Sequence, residues 1–345
     1  MERRALGSTE LSVSRICLGT MTWGRQNTPE QAFEQLDAAV SAGVNFIDTA
    51  EIYPVPPDAA DIGGTESILG QWLAAHGSRQ ELVIATKVAG PGSGPPAIYV
   101  RDGATRFDAA TIDAALDASL ERLNTDYVDL LYLHWPARSC NFFGRLGYTP
   151  NGDEREFDLA ETAAALRAVV ASGRARSIGL SNETPWGVMS FIRELGDVPV
   201  TALQNPYSLL NRSFEVGLAE VCHRENIAMC GYSPLGFGVL AGKYLNGAQP
   251  SGSRLTLYPH YARYNTPTAE QAVSRYVTLA SELGLPPEQL AIAWLLANPL
   301  LTSTIIGATS LSQLQSLLMS ASISLPRAAL ESIDAIHQQF SNPCP

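Results

Sequence analysis

The sequence predicts an α/β fold, a (β/α)8 TIM barrel with an N-terminal β-hairpin and long loops on its C-terminal face. Eight short apolar runs alternate with longer amphipathic stretches. Strands of a parallel barrel are covered on both faces, so they are apolar along their whole length. The chain has 345 residues, enough for one large barrel, and no linker or repeat divides it. We therefore expect a single barrel domain over residues 1–345.

The predicted strands are spaced regularly, with helical patterns between them. The strand-like runs are 14–19, 44–48, 82–87, 127–134, 175–181, 200–205, 227–233 and 302–307. The clearest helical stretches are 29–42, 65–75, 108–123, 158–172 and 214–224. Gly43, Gly77 and Gly173 follow three of these stretches, and we expect them to end the helices in the left-handed conformation.

Three further segments lie outside the alternating pattern. Residues 6–11 predict a β-hairpin turn before the first barrel strand, placed to plug the N-terminal end of the barrel. Residues 90–96 are rich in Gly and Pro, and residues 138–156 mix Gly, Asn and aromatic side chains. Both segments follow predicted strands. They are therefore expected as long loops on the C-terminal face, where barrel enzymes hold their chemistry.

An open, doubly wound sheet is the competing fold. That fold requires a Gly-x-Gly-x-x-Gly turn between the first strand and its helix, and this spacing does not occur. Residues 236–243 resemble a phosphate-binding P-loop, but Phe237 stands at the first required glycine and Tyr244 follows Lys243 where Ser or Thr is needed. Neither departure fits a Walker motif, so the barrel remains the prediction.

Composition and charge exclude several classes of protein. The chain is 46% hydrophobic and 17% charged, which is typical of a folded globular protein. Its 23 basic and 34 acidic residues give a net charge of −11. This charge repels nucleic acid, so no nucleic-acid partner is expected and any bound phosphate needs a local cationic site.

The N-terminus and the cysteines indicate a cytoplasmic protein. The first residues contain two arginines without an apolar run behind them, unlike a secretory signal. The longest apolar stretch, 290–297, is far shorter than the roughly 20 residues of a membrane span. The five cysteines are odd in number and widely spaced, as expected for reduced thiols. They are Cys17, Cys140, Cys222, Cys230 and Cys344. No metal site is predicted.

Four polar residues lie at the ends of three consecutive predicted strands: Asp48 with Tyr53, then Lys87, then His134. Strand ends converge on one face of a barrel, so these side chains are expected to share one small space. A neighbouring ammonium favours the phenolate and lowers the pKa of a tyrosine, and Lys87 is placed to supply that charge. A buried lysine in turn needs a carboxylate, which Asp48 offers. His134 completes a pair of donors around a carbonyl oxygen.

Each of these residues also has a structural interpretation. Asp48 and Lys87 are compatible with a buried ion pair, Tyr53 with loop packing, and His134 with capping of a strand. Another chemical alternative makes Lys87 a Schiff-base nucleophile, as in barrel aldolases, but that role favours a lysine free of a carboxylate. Because all four occur together at strand ends, we favour the catalytic interpretation.

Several motifs together resemble the aldo-keto reductase family. They are residues 18–24 (LGTMTWG), 45–53 (NFIDTAEIY), 85–87 (ATK) and 130–135 (LLYLHW). Residues 205–212 (NPYSLLNR) and 231–235 (GYSPL) resemble the bacterial Tas-type reductases and the potassium-channel β subunits within this family. The resemblance covers about residues 3–337. It implies a barrel that binds NADPH and transfers hydride reversibly to an aldehyde or ketone.

The resemblance also implies roles for individual residues. Tyr53 is the expected general acid, Lys87 lowers its pKa, Asp48 holds Lys87, and His134 orients the carbonyl. The expected nucleotide contacts come from strand ends and from the loops that follow the sixth, seventh and eighth strands. They are Gly19, Thr20, Met21, Asp48, Ser181, Asn182, Gln204, Tyr232, Ser233, Pro234, Leu235, Lys243, Arg254, Gly307, Thr309 and Gln313.

Within this set, Ser181, Asn182 and Gln204 are expected to bind the nicotinamide carboxamide, and Tyr232 to stack on the ring. Residues 233–235 with Lys243 and Arg254 are the expected phosphate contacts. One departure concerns the adenine site, because Ser316 and Leu317 stand where relatives usually carry Glu and Asn.

The sequence predicts the substrate contacts less specifically than the catalytic and nucleotide-binding residues. Trp23, Tyr53, His134 and Trp135 are the expected substrate contacts, and Phe142, Phe143 and Tyr148 suggest that the pocket is apolar. The leading interpretation is an NADPH-dependent reductase of small carbonyl compounds. The alternative is a redox-sensing regulatory subunit like the channel β subunits. The sequence does not indicate whether the protein binds a protein partner or forms a homo-oligomer. Those subunits lack the histidine found at position 134, which favours the enzyme.

Overall fold

A computed structural model describes residues 1–92, 94–151 and 157–345 of the chain. Within these ranges, eight parallel strands close into a barrel, and an antiparallel hairpin precedes them. The hairpin strands are β1 (Arg3–Ala5) and β2 (Ser12–Ser14). The barrel strands, in spatial order, are β3 (Ile16–Gly19), β4 (Phe46–Asp48), β5 (Val83–Val88), β6 (Leu130–Leu133), β7 (Ile178–Ser181), β8 (Val200–Pro206), β9 (Ala228–Tyr232) and β10 (Leu301–Ile306). This confirms the predicted (β/α)8 TIM barrel.

Helices surround the barrel between its strands. They are α1 (Pro29–Ser41), α2 (Gly64–His76), α3 (Ala109–Leu123), α4 (Leu159–Ala171), α5 (Pro185–Leu195), α6 (Leu218–Arg224), α7 (Arg254–Leu257), α8 (Pro267–Glu282), α9 (Pro287–Ala297), α10 (Leu311–Met319) and α11 (Arg327–Gln339). Gly43, Gly77 and Gly173 have φ angles of 89°, 66° and 76° just after α1, α2 and α4. The predicted left-handed helix ends are therefore confirmed.

The hairpin closes the N-terminal end of the barrel. Leu6 and Val13 are fully buried and pack with inward-facing strand residues such as Val83 and Leu130. Gly7 has a φ of 59°, and a Cβ there would lie 2.3 Å from the carbonyl oxygen of Thr201. Only glycine fits such a close approach. The hairpin thus fills the bottom of the barrel and leaves the opposite face open.

Three long connections cover that C-terminal face. The predicted loops after β5 and β6 are present, although residues 93 and 152–156 of them lie outside the described residues. The connection from β9 to α8 was not predicted to be a long loop, although several nucleotide contacts were expected in it. It contains α7 and several short 3₁₀ turns. In the described part of the chain, none of the helices has the length and apolar composition needed to cross a membrane.

Candidate active site

A cavity of about 950 Å³ opens at the C-terminal ends of the barrel strands. Nearly all of the predicted site residues line it. These are Gly19, Thr20, Met21, Asp48, Tyr53, His134, Trp135, Ser181, Asn182, Gln204, Tyr232, Ser233, Pro234, Leu235, Lys243, Arg254, Gly307, Thr309 and Gln313. The barrel brings them together because parallel strands all end on one face. Lys87 lies just beneath the surface of the cavity, and Trp23 lies away from it.

Asp48, Lys87 and Tyr53 form a buried hydrogen-bonded group. Asp48 ends β4 and pairs with Ala85 of β5, two residues before Lys87. The Nζ atom of Lys87 donates to Asp48 Oδ2 at 2.6 Å, to the carbonyl oxygen of Thr49 at 2.7 Å and to the hydroxyl of Tyr53 at 3.4 Å. Three acceptors use all three ammonium hydrogens. Lys87 is therefore held as a fixed cation beside the phenol.

Burial and neighbouring charges act in opposite directions on the pKa values of Lys87 and Tyr53. Burial alone favours the neutral amine of Lys87, but Asp48 and Tyr53 outweigh it, so the pKa of Lys87 lies above its usual value. Burial raises the pKa of Tyr53 above its usual value, and Lys87 only partly opposes this effect. Lys87 therefore acts in the expected direction, but desolvation of the phenolate exceeds the stabilisation by the ammonium, so the pKa of Tyr53 is raised overall. Tyr53 keeps its proton.

His134 stands beside the phenol of Tyr53. The two ring centroids are 5.8 Å apart in an edge-on arrangement. Burial, with a contribution from Lys87, holds the pKa of His134 well below its usual value. The ring is consequently neutral at physiological pH, with one N–H donor and one acceptor. Its Nδ1 atom is buried and has no hydrogen-bond partner among the described residues.

A hydrogen-bond network built around two side-chain amides connects five barrel strands near their C-terminal ends. Gln204 Nε2 donates to Asp48 Oδ1 at 2.7 Å, and Ser181 Oγ donates to the backbone oxygen of Gln204 at 2.8 Å. Asn182 Nδ2 donates to the carbonyl oxygen of His134 at 2.8 Å, while its Oδ1 accepts from the hydroxyl of Tyr232 at 2.6 Å. The network fixes the orientation of these groups at the cavity wall.

Two cations predicted to bind phosphate also line the cavity. In the described ranges, neither Lys243 nor Arg254 pairs with a carboxylate, although the chain carries a net charge of −11. The side chain of Lys243 folds against Gly238, where an added Cβ would lie 2.9 Å from Nζ. Arg254 lies over the ring of Phe237 at 4.9 Å and 3.8 Å from Met21 Sδ. Burial lowers the pKa of Arg254, yet a guanidinium stays charged at neutral pH.

The far end of the cavity lies at the start of α10. Thr309 and Gln313 line it at the start of α10, and Leu317 presents an apolar side chain. Ser316 does not line the cavity; its hydroxyl donates to Glu288 Oε1 at 3.1 Å. Glu288, on α9, does line the cavity. A carboxylate is thus present at this end, but it comes from a neighbouring helix that the sequence did not connect with the site.

The expectation that Trp23 contacts a substrate is corrected. Its side chain is fully buried in the core between the barrel and the helices, and its Nε1 donates to Gln35 at 3.2 Å. Trp135 does line the cavity, and its Nε1 donates to the carbonyl oxygen of Pro91. Phe143 lines the cavity as well, whereas Tyr148 is largely exposed.

The sequence missed several residues of the β9–α8 connection. Phe237, His260, Tyr261 and Arg263 all line the cavity. Phe237 lies in irregular backbone shortly after β9, and the other three lie in short turns far from any predicted strand end. Such residues follow no periodic pattern, so nothing in the sequence marks their position. Aromatic and basic residues alternate in 258–264, but this pattern indicates a binding site only when the position of the cavity is known.

Comparisons with known proteins agree with this geometry. The model of the aldo/keto reductase family matches residues 15–338. "Protein tas" of Escherichia coli K12 is 45% identical over 348 aligned residues, covering 100% of both chains. A probable voltage-gated potassium channel subunit beta of Arabidopsis thaliana is 33% identical, covering 91% of this chain and 89% of that protein. The L-glyceraldehyde 3-phosphate reductase of Escherichia coli K12 is 31% identical, covering 91% and 86%.

These matches extend over most of the barrel and over the strand ends that line the cavity. The sequence motifs, the closed parallel barrel and the match to the family model are three consistent observations. The chain belongs to the aldo/keto reductase family.

Proposed function

We propose that the protein is an NADPH-dependent reductase that converts small aldehydes or ketones to alcohols, with Tyr53 as the general acid. The observation that carries this proposal is the contact between Lys87 Nζ and the hydroxyl of Tyr53 at 3.4 Å, at the wall of a cavity of about 950 Å³. A protonated phenol facing a cavity is a proton donor placed where a carbonyl oxygen can reach it.

The chain's own residues supply the proton and orient the carbonyl. Tyr53 donates its proton to the carbonyl oxygen as negative charge develops there, and the Lys87 ammonium stabilises the phenolate that remains. Asp48 and the carbonyl oxygen of Thr49 hold Lys87 in place. The neutral ring of His134 donates a second hydrogen bond to the same oxygen. When bound, a reduced nicotinamide cofactor would supply the hydride.

The residues that line the cavity fit a phosphorylated dinucleotide. Gln204 uses its amide nitrogen on Asp48, which leaves its carbonyl oxygen available to a carboxamide. Tyr232, held by Asn182, is placed to pack against a planar ring. Lys243 and Arg254, which have no carboxylate partners in the described ranges, would hold phosphates. Glu288 would accept a hydrogen bond from the adenine amino group in place of the glutamate absent at position 316.

We expect Arg254→Met to weaken NADPH binding about ten- to a hundredfold and to leave NADH almost unchanged. The 2′-phosphate distinguishes the two nucleotides, and a charge-assisted hydrogen bond contributes roughly 1.5 to 3 kcal/mol. Fluorescence titration of both nucleotides with wild type and variant measures the effect. Equal affinities of the wild type for NADPH and NADH would show that Arg254 does not bind the 2′-phosphate. Equal losses of the two affinities in the variant would show the same.

The proposed activity is tested by NADPH oxidation with a panel of aldehydes and ketones. Turnover with stoichiometric alcohol formation is the expected result. The second candidate is a redox-sensing regulatory subunit, favoured by the 33% identity to a protein described as a channel β subunit. Tight NADPH binding without turnover of any carbonyl compound would favour that candidate and contradict the enzyme.

We also propose that the protein acts in the cytoplasm on a small-molecule carbonyl compound. The five cysteines, all within the described ranges, are buried and form no disulfide, which is compatible with a reducing compartment.

A further inference from the structure

A third cation lines the cavity, and the proposed function gives it no role. Lys243 and Arg254 are assigned above to phosphates of the nucleotide, whereas Arg263 has no assigned ligand. In the described part of the chain, no Asp or Glu carboxylate lies within ion-pairing distance of Arg263. Among the described residues, two acidic side chains line the cavity: Asp48, which binds Lys87 and Gln204, and Glu288.

The surroundings of Arg263 are mostly aromatic. Its guanidinium lies 4.6 Å from the ring centroid of Tyr264, 5.5 Å from that of Phe237 and 5.9 Å from that of Phe143. Its Nη2 atom donates to the hydroxyl of Tyr264 at 2.7 Å, and the hydroxyl of Tyr232 is a second polar neighbour. Its Nε is buried without a hydrogen-bond partner among the described residues. Aromatic faces attract a cation but do not use its hydrogen-bond donors, so the guanidinium retains donors for an anion.

A series of ring contacts connects Arg263 with the catalytic residues His134 and Tyr53. Phe143 is 6.5 Å from Trp135, Trp135 is 5.1 Å from His134, and His134 is 5.8 Å from Tyr53, between ring centroids. The loop after β6 carries three of these residues, and Arg263 packs against Phe143 and Gly144 of that loop.

We propose that Arg263 binds an oxyanion, a carboxylate or a phosphate, carried by the carbonyl substrate at the end opposite its reactive carbon. This inference rests on the proposed reductase function and deepens it. A guanidinium presents two parallel N–H donors that match either oxyanion. Binding of an anion there would supply a counter-charge that no Asp or Glu of the described residues provides within ion-pairing distance.

The test compares matched acidic and neutral substrates in wild type and variants. The carboxylate probe is 4-oxobutanoate with its methyl ester as the neutral control; the phosphate probe is glycolaldehyde phosphate with glycolaldehyde as its control. We expect wild type to favour at least one anionic probe through a lower KM. Arg263→Met should lower kcat/KM for that probe about ten- to a hundredfold and change the neutral compound less than about threefold. Arg263→Lys should recover part of the loss because it keeps the charge.

Arg275→Met is the matched control, because Arg275 is an exposed arginine on α8 outside the cavity and its loss changes the net charge equally. Arg275→Met should leave kcat/KM unchanged for both anionic probes. Dissociation constants for NADPH should also be unchanged in Arg263→Met. An equal loss of NADPH affinity would assign Arg263 to the cofactor and overturn the proposal.

The remaining outcomes separate the two proposals. Turnover of neutral and anionic probes with equal KM in wild type would overturn the oxyanion site and leave the reductase intact. No turnover of any probe would overturn the reductase and the oxyanion site with it. The comparison of acid and ester in wild type needs no variant, so it remains decisive if Arg263→Met fails to fold. Which of the two pairs responds identifies the oxyanion as carboxylate or phosphate.

Discussion

Tyr53→Phe is expected to lower the rate of carbonyl reduction about 10²- to 10⁴-fold, the range of a lost general acid. The substitution removes one hydroxyl and keeps the ring that packs in the cavity wall. Lys87 loses only its longest hydrogen bond, at 3.4 Å, and retains Asp48 and Thr49. NADPH affinity should therefore stay near the wild-type value while turnover falls. Single-turnover NADPH oxidation and fluorescence titration measure the two quantities separately.

The matched control for this variant is Tyr276→Phe. Tyr276 is a buried tyrosine of α8 outside the cavity, and its hydroxyl donates to the carbonyl oxygen of Leu209 at 3.3 Å. Loss of that bond should lower stability by roughly 0.5 to 1.5 kcal/mol without affecting turnover. Near-normal turnover in Tyr53→Phe would mean that a different group protonates the carbonyl.

Lys87→Met is expected to abolish measurable reduction and to destabilise the fold at the same time. The variant leaves the Asp48 carboxylate buried without its cation, and breaking a buried pair in this way costs about 3–5 kcal/mol. It also removes the charge that opposes the effect of burial on Tyr53, so the pKa of Tyr53 should rise further above its usual value. A higher pKa makes the phenol a weaker acid. Denaturant unfolding and steady-state rates measure the two effects.

The double variant Asp48→Asn/Lys87→Met distinguishes a structural role from a chemical one. It removes both charges together, and the amide introduced at position 48 keeps an oxygen for the hydrogen bond from Gln204 Nε2. We expect it to recover much of the lost stability, because no buried charge is left without its partner, but none of the activity. Recovery of turnover along with stability would show that Lys87 serves only to balance Asp48.

The barrel and the polar residues at its strand ends could be predicted from the sequence alone. Parallel strands covered on both faces must be apolar throughout, so the runs and their polar C-terminal neighbours were visible without a structure. Asp48, Lys87 and His134 could be grouped for the same reason, because all barrel strands end on one face. The hairpin that closes the other face was also predictable, from its turn residues and its position before the first barrel strand.

Three-dimensional packing was needed to establish which loop residues enter the cavity and how strongly burial acts there. Trp23 lies in the same short segment after β3 as Met21, yet its ring turns into the core and its Nε1 donates to Gln35. Arg263 and Glu288 line the cavity from a loop and a helix that no pattern links to the strand ends. The raised pKa of Tyr53 likewise depends on the sum of burial and neighbouring charges. The pKa of Tyr53 depends on distances between residues that are remote in sequence, and the periodicity of the sequence does not encode these distances.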